Sequence, residues 1–428
     1  MKVLVLGSGG RESALAWGLA RSPSVGEVVA LPGNPGIARH ADLVPGDPAD
    51  VPAVLEVAGR VRPELVVVGP EAPLVAGVSD ALRAEGIRVF GPDQAAARIE
   101  GSKAYSKELM DEAGIPTARW GSFETIEGAV VKLDEFGPPY VIKADGLAAG
   151  KGVLVTEDRD EAIEAVRERL SGERFGDAGR TTVIEEYLDG PEASLIAFTD
   201  GRAVVACEPA RDYKRALDGD AGPNTGGMGS YSPVTDCPPG LADEIVDAVI
   251  EPMVAATAAR GAPFVGALYA GLALTSRGPK VVEFNARFGD PETQALIPRL
   301  DSDLGEVCAA CADGSLEGHK LAWSSDACVS VVLASGGYPG AHPTGLEITG
   351  LDAAGADPNV QVFHAGTAKA DGKLVTAGGR VLAVSGSGDG YAEARARAYA
   401  AAERIHFEGR HMRSDIALAT GTTDEEVG

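Results

Sequence analysis

Four short apolar segments in the first 100 residues constrain the fold of this chain more than any other feature. They read VLVL at residues 3–6, VVAL at 28–31, LVVVG at 65–69 and IRVFG at 87–91, and intervening stretches such as 11–22 have helical apolar spacing. Strands that are apolar throughout and alternate with helices predict a parallel sheet covered on both faces. Each segment runs into a turn rich in Gly or Pro, at the strand ends where such sheets bind ligands.

The charge balance limits the choice of partners. The 428 residues include 63 Asp and Glu but only 38 Lys and Arg, which gives a net charge of −25. Such a surface repels a phosphate backbone, so we expect no nucleic-acid partner. The acid excess fits either plain solubility or, as we favour, a halophilic protein in a salty cytoplasm, where screening suppresses carboxylate repulsion.

A membrane location is not expected. No apolar run reaches the roughly 18 unbroken residues of a membrane span. The apolar start, MKVLVLG, leads straight into glycines and is typical of a buried strand rather than a signal peptide. We therefore expect a cytoplasmic protein without a membrane partner.

Residues 145–153, DGLAAGKGV, have the composition of a loop that contacts phosphate. A P-loop requires GxxxxGK followed by Ser or Thr. Here the two flanking glycines, Gly146 and Gly150, are one residue too close, and Gly152 follows Lys151. The segment is instead interpreted as a flexible flap that can close over a nucleotide and exclude water.

A dinucleotide site is disfavoured by the segment GSGGRE at residues 7–12. It begins like GxGxxG after a strand, but Glu12 stands where a third glycine is needed for helix–strand packing. The turn can still bind a single phosphate at a helix N-terminus, with Arg11 beside it.

A third interpretation uses more residues, and it is a nucleotide clamp. Lys143 lies in the apolar segment YVIKA before the flap, and Lys103 opens a predicted helix. In VVEFNARFGD, at 281–290, Glu283 and Asn285 are two residues apart, so a strand would point both to one face. Oxygen ligands of this kind suit Mg²⁺, and Arg287, placed on the same face, can stabilise a transferring phosphoryl group.

Long motifs in order along the whole chain carry a resemblance to a known family. They are MKVLVLGSGGRE from Met1, VGPEAPLVAGV from Val68, GSKAYSK from Gly101, VIKADGLAAGKGV from Val141, PNTGGMGSYSP from Pro223, LYAGL from Leu268, EFNARFGDPETQ from Glu283 and FHAGT from Phe363. The chain resembles the ATP-grasp superfamily and, within it, the phosphoribosylamine–glycine ligase family. That family joins glycine to 5-phosphoribosylamine through a glycyl phosphate, with ATP becoming ADP and phosphate, in the second step of de novo purine synthesis.

The resemblance implies three domains. Residues 1–100 would form a substrate-binding α/β domain with a parallel sheet, of the kind that precedes an ATP-grasp domain. Residues 101–324 would form the two-lobed ATP-grasp domain, with the flap-bearing lobe at about 115–190. Residues 325–428 would form a small C-terminal α/β domain. A monomer is expected.

The resemblance also implies roles for individual residues. The ATP phosphates would contact Lys103, Lys143 and the flap lysine, Lys151; adenine would meet the hinge at 185–188, including Glu185, Glu186 and Leu188; and ribose would meet Glu192. Glu283 and Asn285 would hold Mg²⁺ or Mn²⁺, and Arg287 would bind the glycine carboxylate and the acyl phosphate. The glycine and ribosylamine pockets would be bordered by Asp212, Lys214 and the loop with Asn224, Gly226 and Gly227. The catalytic residues would be Arg287, Lys143, Asp212 and Lys214. The ribose phosphate and hydroxyls would contact Gly9, Gly10, Arg11, Glu12, Asn34 and Glu71.

Two departures from the family pattern affect this interpretation. The family phrase GGREHAL has Ser13 in place of its His here, which we interpret as a helix-face substitution. The acidic third metal ligand of many ATP-grasp enzymes would fall in residues 269–274, which contain no acid. A transformylase or carboxylase of the same superfamily, and a nucleotide sensor without activity, remain as alternative functions.

Overall fold

The computed structural model describes residues 1–147, 152–172, 180–235, 237–238 and 240–418. Its first unit contains a five-stranded parallel sheet in the order β3-β2-β1-β4-β5. The parallel N-terminal sheet predicted from the four apolar segments is confirmed. Its elements are β1 (Lys2–Gly7), α1 (Gly10–Arg21), β2 (Glu27–Pro32), β3 (Asp42–Leu43), α2 (Val51–Val61), β4 (Leu65–Val68), α3 (Glu71–Val75), α4 (Val78–Ala84), β5 (Val89–Phe90) and α5 (Gln94–Gly101).

Burial explains why these strands are apolar throughout. Alternate residues of β1 enter two different cores: Leu4 and Leu6 pack on one face, and Val3 and Val5 on the other. All four are fully buried. Both faces are thus covered. Because β1, β2 and β4 are parallel, the loops that follow them lie together at the carboxyl edge of the sheet.

The next unit is a lobe with a small antiparallel sheet, ordered β6-β9-β7-β8. The predicted strand at 182–188 is shorter than expected, because its pairing stops at Glu185 and leaves 186–188 as an extended connection. The elements are α6 (Lys103–Ala113), β6 (Trp120–Phe123), α7 (Ile126–Phe136), β7 (Tyr140–Ala144), β8 (Val153–Thr156), α8 (Arg159–Leu170) and β9 (Thr182–Glu185).

The larger lobe contains an antiparallel sheet in the order β11-β10-β16-β17. Strands β16 and β17 form the predicted hairpin, while β10 had no counterpart among the predicted strands. The elements are β10 (Glu192–Asp200), β11 (Val204–Ala206), β12 (Arg211–Asp212), β13 (Arg215–Leu217), β14 (Ala221–Asn224), β15 (Gly229–Ser232), α9 (Leu241–Ile245), α10 (Glu251–Ala259), β16 (Val265–Thr275), β17 (Gly278–Asn285), α11 (Glu292–Leu296) and α12 (Leu304–Asp313).

A further five-stranded sheet, ordered β12-β15-β18-β22-β19, joins strands from both sides of residue 324. It connects the loop region around 211–232 to the C-terminal part of the chain. The remaining elements are β18 (Ala327–Ala334), α13 (Leu351–Ala354), β19 (Val360–His364), β20 (Thr367–Ala370), β21 (Lys373–Thr376), β22 (Arg380–Gly388) and α14 (Tyr391–Ala402). Among the described helices, none is both long enough and apolar enough to cross a membrane.

Candidate functional site

Two of the sequence-predicted lysines flank the start of the glycine loop. Lys143 is on β7 and 4% exposed, and Lys103 opens α6, with its Nζ 3.2 Å from the carbonyl oxygen of Gly146. Asp145 ties the loop to α6, because its carboxylate accepts hydrogen bonds from Ala104 N (2.7 Å) and Ser102 Oγ. The start of the loop is therefore bonded to the helix N-terminus. Lys151, the predicted flap lysine, lies outside the described residues.

The hinge glutamates have different environments. Glu185 is 3% exposed, and its carboxylate lies 3.0 Å from Lys143 Nζ and 3.1 Å from Lys107 Nζ. Glu186 faces the other way and accepts hydrogen bonds from Arg119 Nε (2.8 Å) and Lys280 Nζ (3.2 Å). Although partial burial acts to raise the pKa of Glu186, these bonds lower it to about 2. Both side chains are therefore engaged by protein partners and hold the hinge in place.

Glu192 follows the hinge and forms an ion pair with Lys214. The pair connects the first strand of the larger lobe, β10, to the residue just before β13. Leu188, also predicted to contact the nucleotide, is half-buried in the extended connection between β9 and β10. The predicted ribose and adenine residues therefore lie on one continuous segment.

Glu283 and Asn285 lie on β17, opposite Gly271 and Tyr269 of β16. Burial acts to raise the pKa of Glu283, but Lys214, Lys143 and Lys103 outweigh it, so the net pKa lies below its ordinary value. In the part of the chain that the structure describes, neither side chain makes a hydrogen bond or ion pair, and no group of three or more His, Cys, Asp or Glu is placed so that it could hold a metal ion. One ionised carboxylate and one amide oxygen fit a divalent ion that takes its other ligands from phosphate and water.

Arg287 lies just beyond β17, which ends at Asn285, so the expected placement on the strand face is wrong. Its guanidinium is 2.8 Å from Glu100 and 3.3 Å from Glu71, and it also donates to Phe288 O. Glu100 in turn accepts from Ala286 N at 2.7 Å. Glu71 belongs to the N-terminal unit, so Arg287 joins that unit to the strand that carries Glu283 and Asn285.

Carboxylates surround the N-terminus of α1, where a phosphate was one of the expected ligands. Glu12 accepts from Gly9 N at 2.5 Å and from Arg11 Nε at 2.6 Å, and Asp290 accepts from Arg11 N at 3.2 Å. Arg11 also lies 3.6 Å from Glu71. A phosphate here would meet three carboxylates, whereas hydroxyl or amine donors would find acceptors. The Arg11 guanidinium lies among these carboxylates, and the contacts with the ribose phosphate and hydroxyls stay predictions.

Asp290 links this acidic group to a residue that the sequence analysis missed. Arg380, on β22, lies 3.2 Å from the Asp290 carboxylate and donates to the carbonyl oxygens of Gly226 (2.5 Å) and Asp290 (2.8 Å). Gly10 is confined in the same region, because a Cβ there would lie 2.5 Å from Gln294 Nε2. The C-terminal sheet therefore contributes a cation to the site.

The side chain of Asn34 is occupied by contacts within the protein. Its amide nitrogen donates to Ser8 O (2.8 Å) and His364 O (2.9 Å), and its oxygen accepts from Gly36 N and Ile37 N. We assign Asn34 to shaping the loop after β2, and its contact with substrate stays a prediction.

A group of buried polar side chains lies beside β17, the strand that carries Glu283 and Asn285. Ser194 Oγ is 2.8 Å from Tyr269 Oη and 3.0 Å from Glu292 Oε1, and all three side chains are buried. Asp212, from β12, is close enough to Glu292 and Lys214 for their charges to affect its titration. Burial, with repulsion from Glu292, raises the pKa of Asp212 to about 8 against the attraction of Lys214.

The loop with Asn224, Gly226 and Gly227 folds back on Lys214. Thr225 N donates to Lys214 O at 2.7 Å, and Gly227 N donates to Thr225 Oγ1 at 2.9 Å. Gly227 has a φ of +109°, and a Cβ there would lie 2.3 Å from the Pro291 ring. Only glycine permits this close approach. Asn224 ends β14, at the rim of the loop.

Four buried or half-buried residues of the site had no role in the sequence analysis, namely Glu100, Lys107, Glu292 and Arg380. Glu292 falls within the motif EFNARFGDPETQ, so a search for further acids in that motif could have found it. The other three contact site residues far away in the chain: Lys107 lies 78 positions from Glu185, Arg380 lies 90 from Asp290 and Glu100 lies 187 from Arg287. No local pattern marks them.

Comparison with known proteins gives a family for each part of the chain. The models of phosphoribosylglycinamide synthetase match in order: the N domain at residues 1–100, the ATP-grasp (A) domain at 101–293 and the C domain at 328–419. Among curated proteins, the phosphoribosylamine–glycine ligase of Streptomyces coelicolor is 53% identical over 97% of this chain and 99% of its own length. That of Agrobacterium fabrum is 49% identical over 97% and 98%.

Solved structures show the same likeness. The phosphoribosylamine–glycine ligase of Thermotoga maritima superposes with a TM-score of 0.85 at 39% identity, covering 97% of this chain and 100% of that one. The biotin carboxylase domain of Hydrogenobacter thermophilus 2-oxoglutarate carboxylase gives a TM-score of 0.74 at 17% identity, covering 96% and 91%. At that identity the second likeness concerns the fold alone.

Proposed function

The chain belongs to the phosphoribosylglycinamide synthetase family, and we propose how its site carries out the family's reaction. The chain is a phosphoribosylamine–glycine ligase, an ATP-dependent carbon–nitrogen ligase of purine biosynthesis. It joins glycine to 5-phosphoribosylamine and gives glycinamide ribonucleotide, ADP and phosphate. Two bond-forming steps, described below, account for these products.

ATP binds between the two lobes. The ammonium groups of Lys103 and Lys143 contact its phosphates, and the backbone of 186–188 contacts adenine. Glu192 accepts hydrogen bonds from the ribose hydroxyls, which replace Lys214 as its partner. We assign Lys151 to the same phosphates. The short distance from Lys103 to the root of the flap supports this arrangement.

Glu283 and Asn285 would hold Mg²⁺ or Mn²⁺, which would supply positive charge to the β- and γ-phosphate oxygens. The low pKa of Glu283 supports this assignment, because it keeps the carboxylate ionised. Residues 269–274, where many ATP-grasp enzymes have a third acidic metal ligand, contain no acid. We therefore assign only Glu283 and Asn285 as metal ligands.

In the first step, a carboxylate oxygen of glycine attacks the γ-phosphorus of ATP. The bond to the β,γ-bridging oxygen breaks, and ADP leaves with that electron pair. Arg287 orients the glycine carboxylate and stabilises charge on the transferring phosphoryl group. Because no protein nucleophile is needed, the site acts mainly by positioning and by charge.

In the second step, the amine of phosphoribosylamine attacks the acyl carbon of glycyl phosphate. The C–O bond breaks and phosphate leaves with an oxygen that came from glycine. Glu12 and Glu71 accept from the ribose hydroxyls, while Asp212 and Lys214 border the glycine pocket. A closed flap keeps water from the acyl phosphate, which hydrolyses easily.

One observation carries this proposal, namely the position of Arg287 between two substrate regions. Its guanidinium pairs with Glu71 of the N-terminal unit, and it lies two residues after Asn285 of the metal pair. An acyl phosphate formed next to Asn285 would therefore lie next to the ribosylamine site. A nucleotide sensor would not need this connection.

The proposal is tested by ADP release from the purified protein with Mg²⁺ and fresh phosphoribosylamine. Three reactions are compared: with glycine, with formate and with neither. Turnover that requires both glycine and the amine is the expected result. Turnover with formate would favour a transformylase, and tight ATP binding without any turnover would favour a sensor.

We further propose that the enzyme is cytoplasmic and, as the family resemblance suggests, monomeric. The net charge of −25 supports a third proposal, that the enzyme is halophilic. Screening by salt would relieve repulsion among surface carboxylates, so activity and thermal stability should rise between about 0.1 M and about 2 M KCl. Full activity and stability at low salt would contradict the halophilic assignment. Sedimentation in the same buffers would test the monomer.

A further inference from the structure

Helix α6 carries a second lysine that the proposed mechanism does not use. Lys107 lies one turn after Lys103, but it is only 1% exposed. Its Nζ is 3.1 Å from a carboxylate oxygen of Glu185 and donates to Thr117 Oγ1 at 2.7 Å. Thr117 Oγ1 in turn donates to the carbonyl oxygen of Val281 on β17, at 2.6 Å. A buried ammonium with such fixed partners requires an explanation, because burying a charge is costly.

The carboxylate of Glu185 is shared by two lysines. Oxygen Oε2 accepts from Lys143 Nζ at 3.0 Å and lies 3.1 Å from Lys107 Nζ. All three side chains are nearly inaccessible, at 1% for Lys107, 3% for Glu185 and 4% for Lys143. We call these three residues the buried trio.

The hydrogen bonds of Lys143 leave one direction open. An ammonium has three N–H donors. One bonds to Glu185 and a second to Val282 O at 3.2 Å. Within the described part of the chain the third has no hydrogen-bond partner, and its direction is fixed by the other two. Holding Glu185 therefore also holds the free donor of Lys143.

Lys107 also sets the charge of this region. A buried pair of Lys143 and Glu185 alone would be neutral, whereas the trio has a net charge of +1. Burial lowers the pKa of Lys107 to about 8 against the attraction of Glu185, so its ammonium is mostly protonated at pH 7. A polyanionic ligand beside Lys143 would meet a positive region because Lys107 is there.

We propose that Lys107 is a positioning residue for ATP. Acting through Glu185, it aims the Lys143 ammonium at the nucleotide phosphates and keeps the buried trio positive. The inference rests on the proposed contact between Lys143 and ATP. Lys107 itself touches neither the substrates nor the reacting atoms.

The test compares Lys107→Gln, Lys107→Arg and the matched control Thr117→Val. The Gln amide can still donate to Glu185 and Thr117 but removes the charge, whereas Arg keeps it. Thr117→Val changes the same buried pocket without changing charge. For each folded variant, the Kd for ATP is measured by calorimetry without glycine, and the KM values for ATP and glycine are measured by ADP release.

Lys107→Gln is expected to raise the Kd and KM for ATP on the order of tenfold, with the KM for glycine unchanged. Lys107→Arg and Thr117→Val are expected to stay within about threefold of the wild type for ATP. A purely structural role would instead lower thermal stability in Lys107→Gln and Thr117→Val alike, without separating the two KM values.

Two results would overturn the inference. One is an ATP affinity of Lys107→Gln equal to that of the wild type. The other, which also decides the matter if Lys107→Gln does not fold, is a folded Lys107→Arg that binds ATP as weakly as Lys143→Met. Failure of the wild type itself to bind ATP would instead remove the proposed function, so the two failures are distinguishable.

Discussion

The guanidinium of Arg287 lies 2.8 Å from the carboxylate of Glu100, a residue 187 positions earlier in the chain. Burial raises the pKa of Glu100 above its ordinary range against the attraction of Arg287. Glu100 also accepts from Ala286 N, so one carboxylate fixes both the backbone and the side chain at the end of β17. The orientation of Arg287 is thus set before substrate arrives, which is what electrostatic stabilisation of a phosphoryl group requires.

Arg287→Lys should reduce kcat by about 100-fold, because an ammonium cannot match the planar, bidentate geometry of guanidinium. The KM for ATP should change by less than about threefold, since Arg287 is assigned to glycine and its phosphate. Steady-state ADP release measures both constants. Arg277→Lys, on the exposed turn between β16 and β17, is the control and should behave as wild type. An unchanged kcat in Arg287→Lys would contradict the assignment.

His364→Gln should make stability less sensitive to acid. Burial lowers the pKa of His364 to about 4 from the ordinary 6.5, so between these values the unfolded chain binds a proton that the folded chain does not. Folding stability is therefore lost as the pH falls through this window, by about 2 kcal/mol between pH 7 and pH 5 for this one group.

Urea unfolding at both pH values measures this effect. The wild type should lose about 2 kcal/mol more than His364→Gln over that interval. His406→Gln, at an exposed position, serves as the control and should follow the wild type. Equal acid sensitivity of His364→Gln and the wild type would mean that His364 is not held neutral in the folded protein.

Ser13→Ala should affect stability but not substrate binding. Ser13 is 4% exposed, and its hydroxyl accepts from His364 N at 3.2 Å. Its removal leaves a buried N–H without a partner, which costs about 1–2 kcal/mol in urea unfolding. The KM for phosphoribosylamine should be unchanged. A rise in that KM would show that the hydroxyl serves substrate in place of the histidine in the family phrase.

Arg413→Met should weaken the hairpin of β13 and β14. Arg413 is 1% exposed and forms ion pairs with Asp220 (2.7 Å) and Asp415 (2.6 Å), while donating to Arg215 O. Its loss leaves two unpaired carboxylates, at a cost of about 2 kcal/mol because Asp220 is largely exposed.

Lys214 lies immediately before this hairpin, so the KM for glycine should also rise in Arg413→Met. Urea unfolding and steady-state kinetics measure the two effects. The control is Arg404→Met, which removes an exposed arginine from the same part of the chain and should change neither value. If Arg413→Met is as stable as the wild type, the contacts of Arg413 do not anchor the hairpin.

The sequence predicted the elements that local patterns determine. The four apolar segments gave the parallel sheet, because strands buried on both faces must be apolar at every position. The helix that Lys103 opens and the strand at Lys143 were also predicted, and the structure adds a Ser102 N-cap that accepts from Tyr105 N. Resemblance then supplied candidate roles for residues in these elements.

Contacts between distant parts of the chain could not be predicted. Glu185 was expected at adenine, yet its carboxylate is shared by Lys107 and Lys143, which depends on the packing of α6 against β7 and β9. Arg11, expected beside a phosphate at α1, contacts Asp290 and Glu71, and the Asp290 contact depends on the docking of the larger lobe against the N-terminal unit. Such charge environments are properties of the tertiary structure and leave no periodic signal in the sequence.

The central claim is that glycine is activated as an acyl phosphate next to Arg287. It is tested most directly with glycine labelled with ¹⁸O in both carboxylate oxygens, by mass spectrometry of the phosphate released with ATP and phosphoribosylamine. The account predicts one ¹⁸O atom in each phosphate, because the oxygen that attacks the γ-phosphorus leaves with it. Phosphate without ¹⁸O, formed together with glycinamide ribonucleotide, would contradict the account.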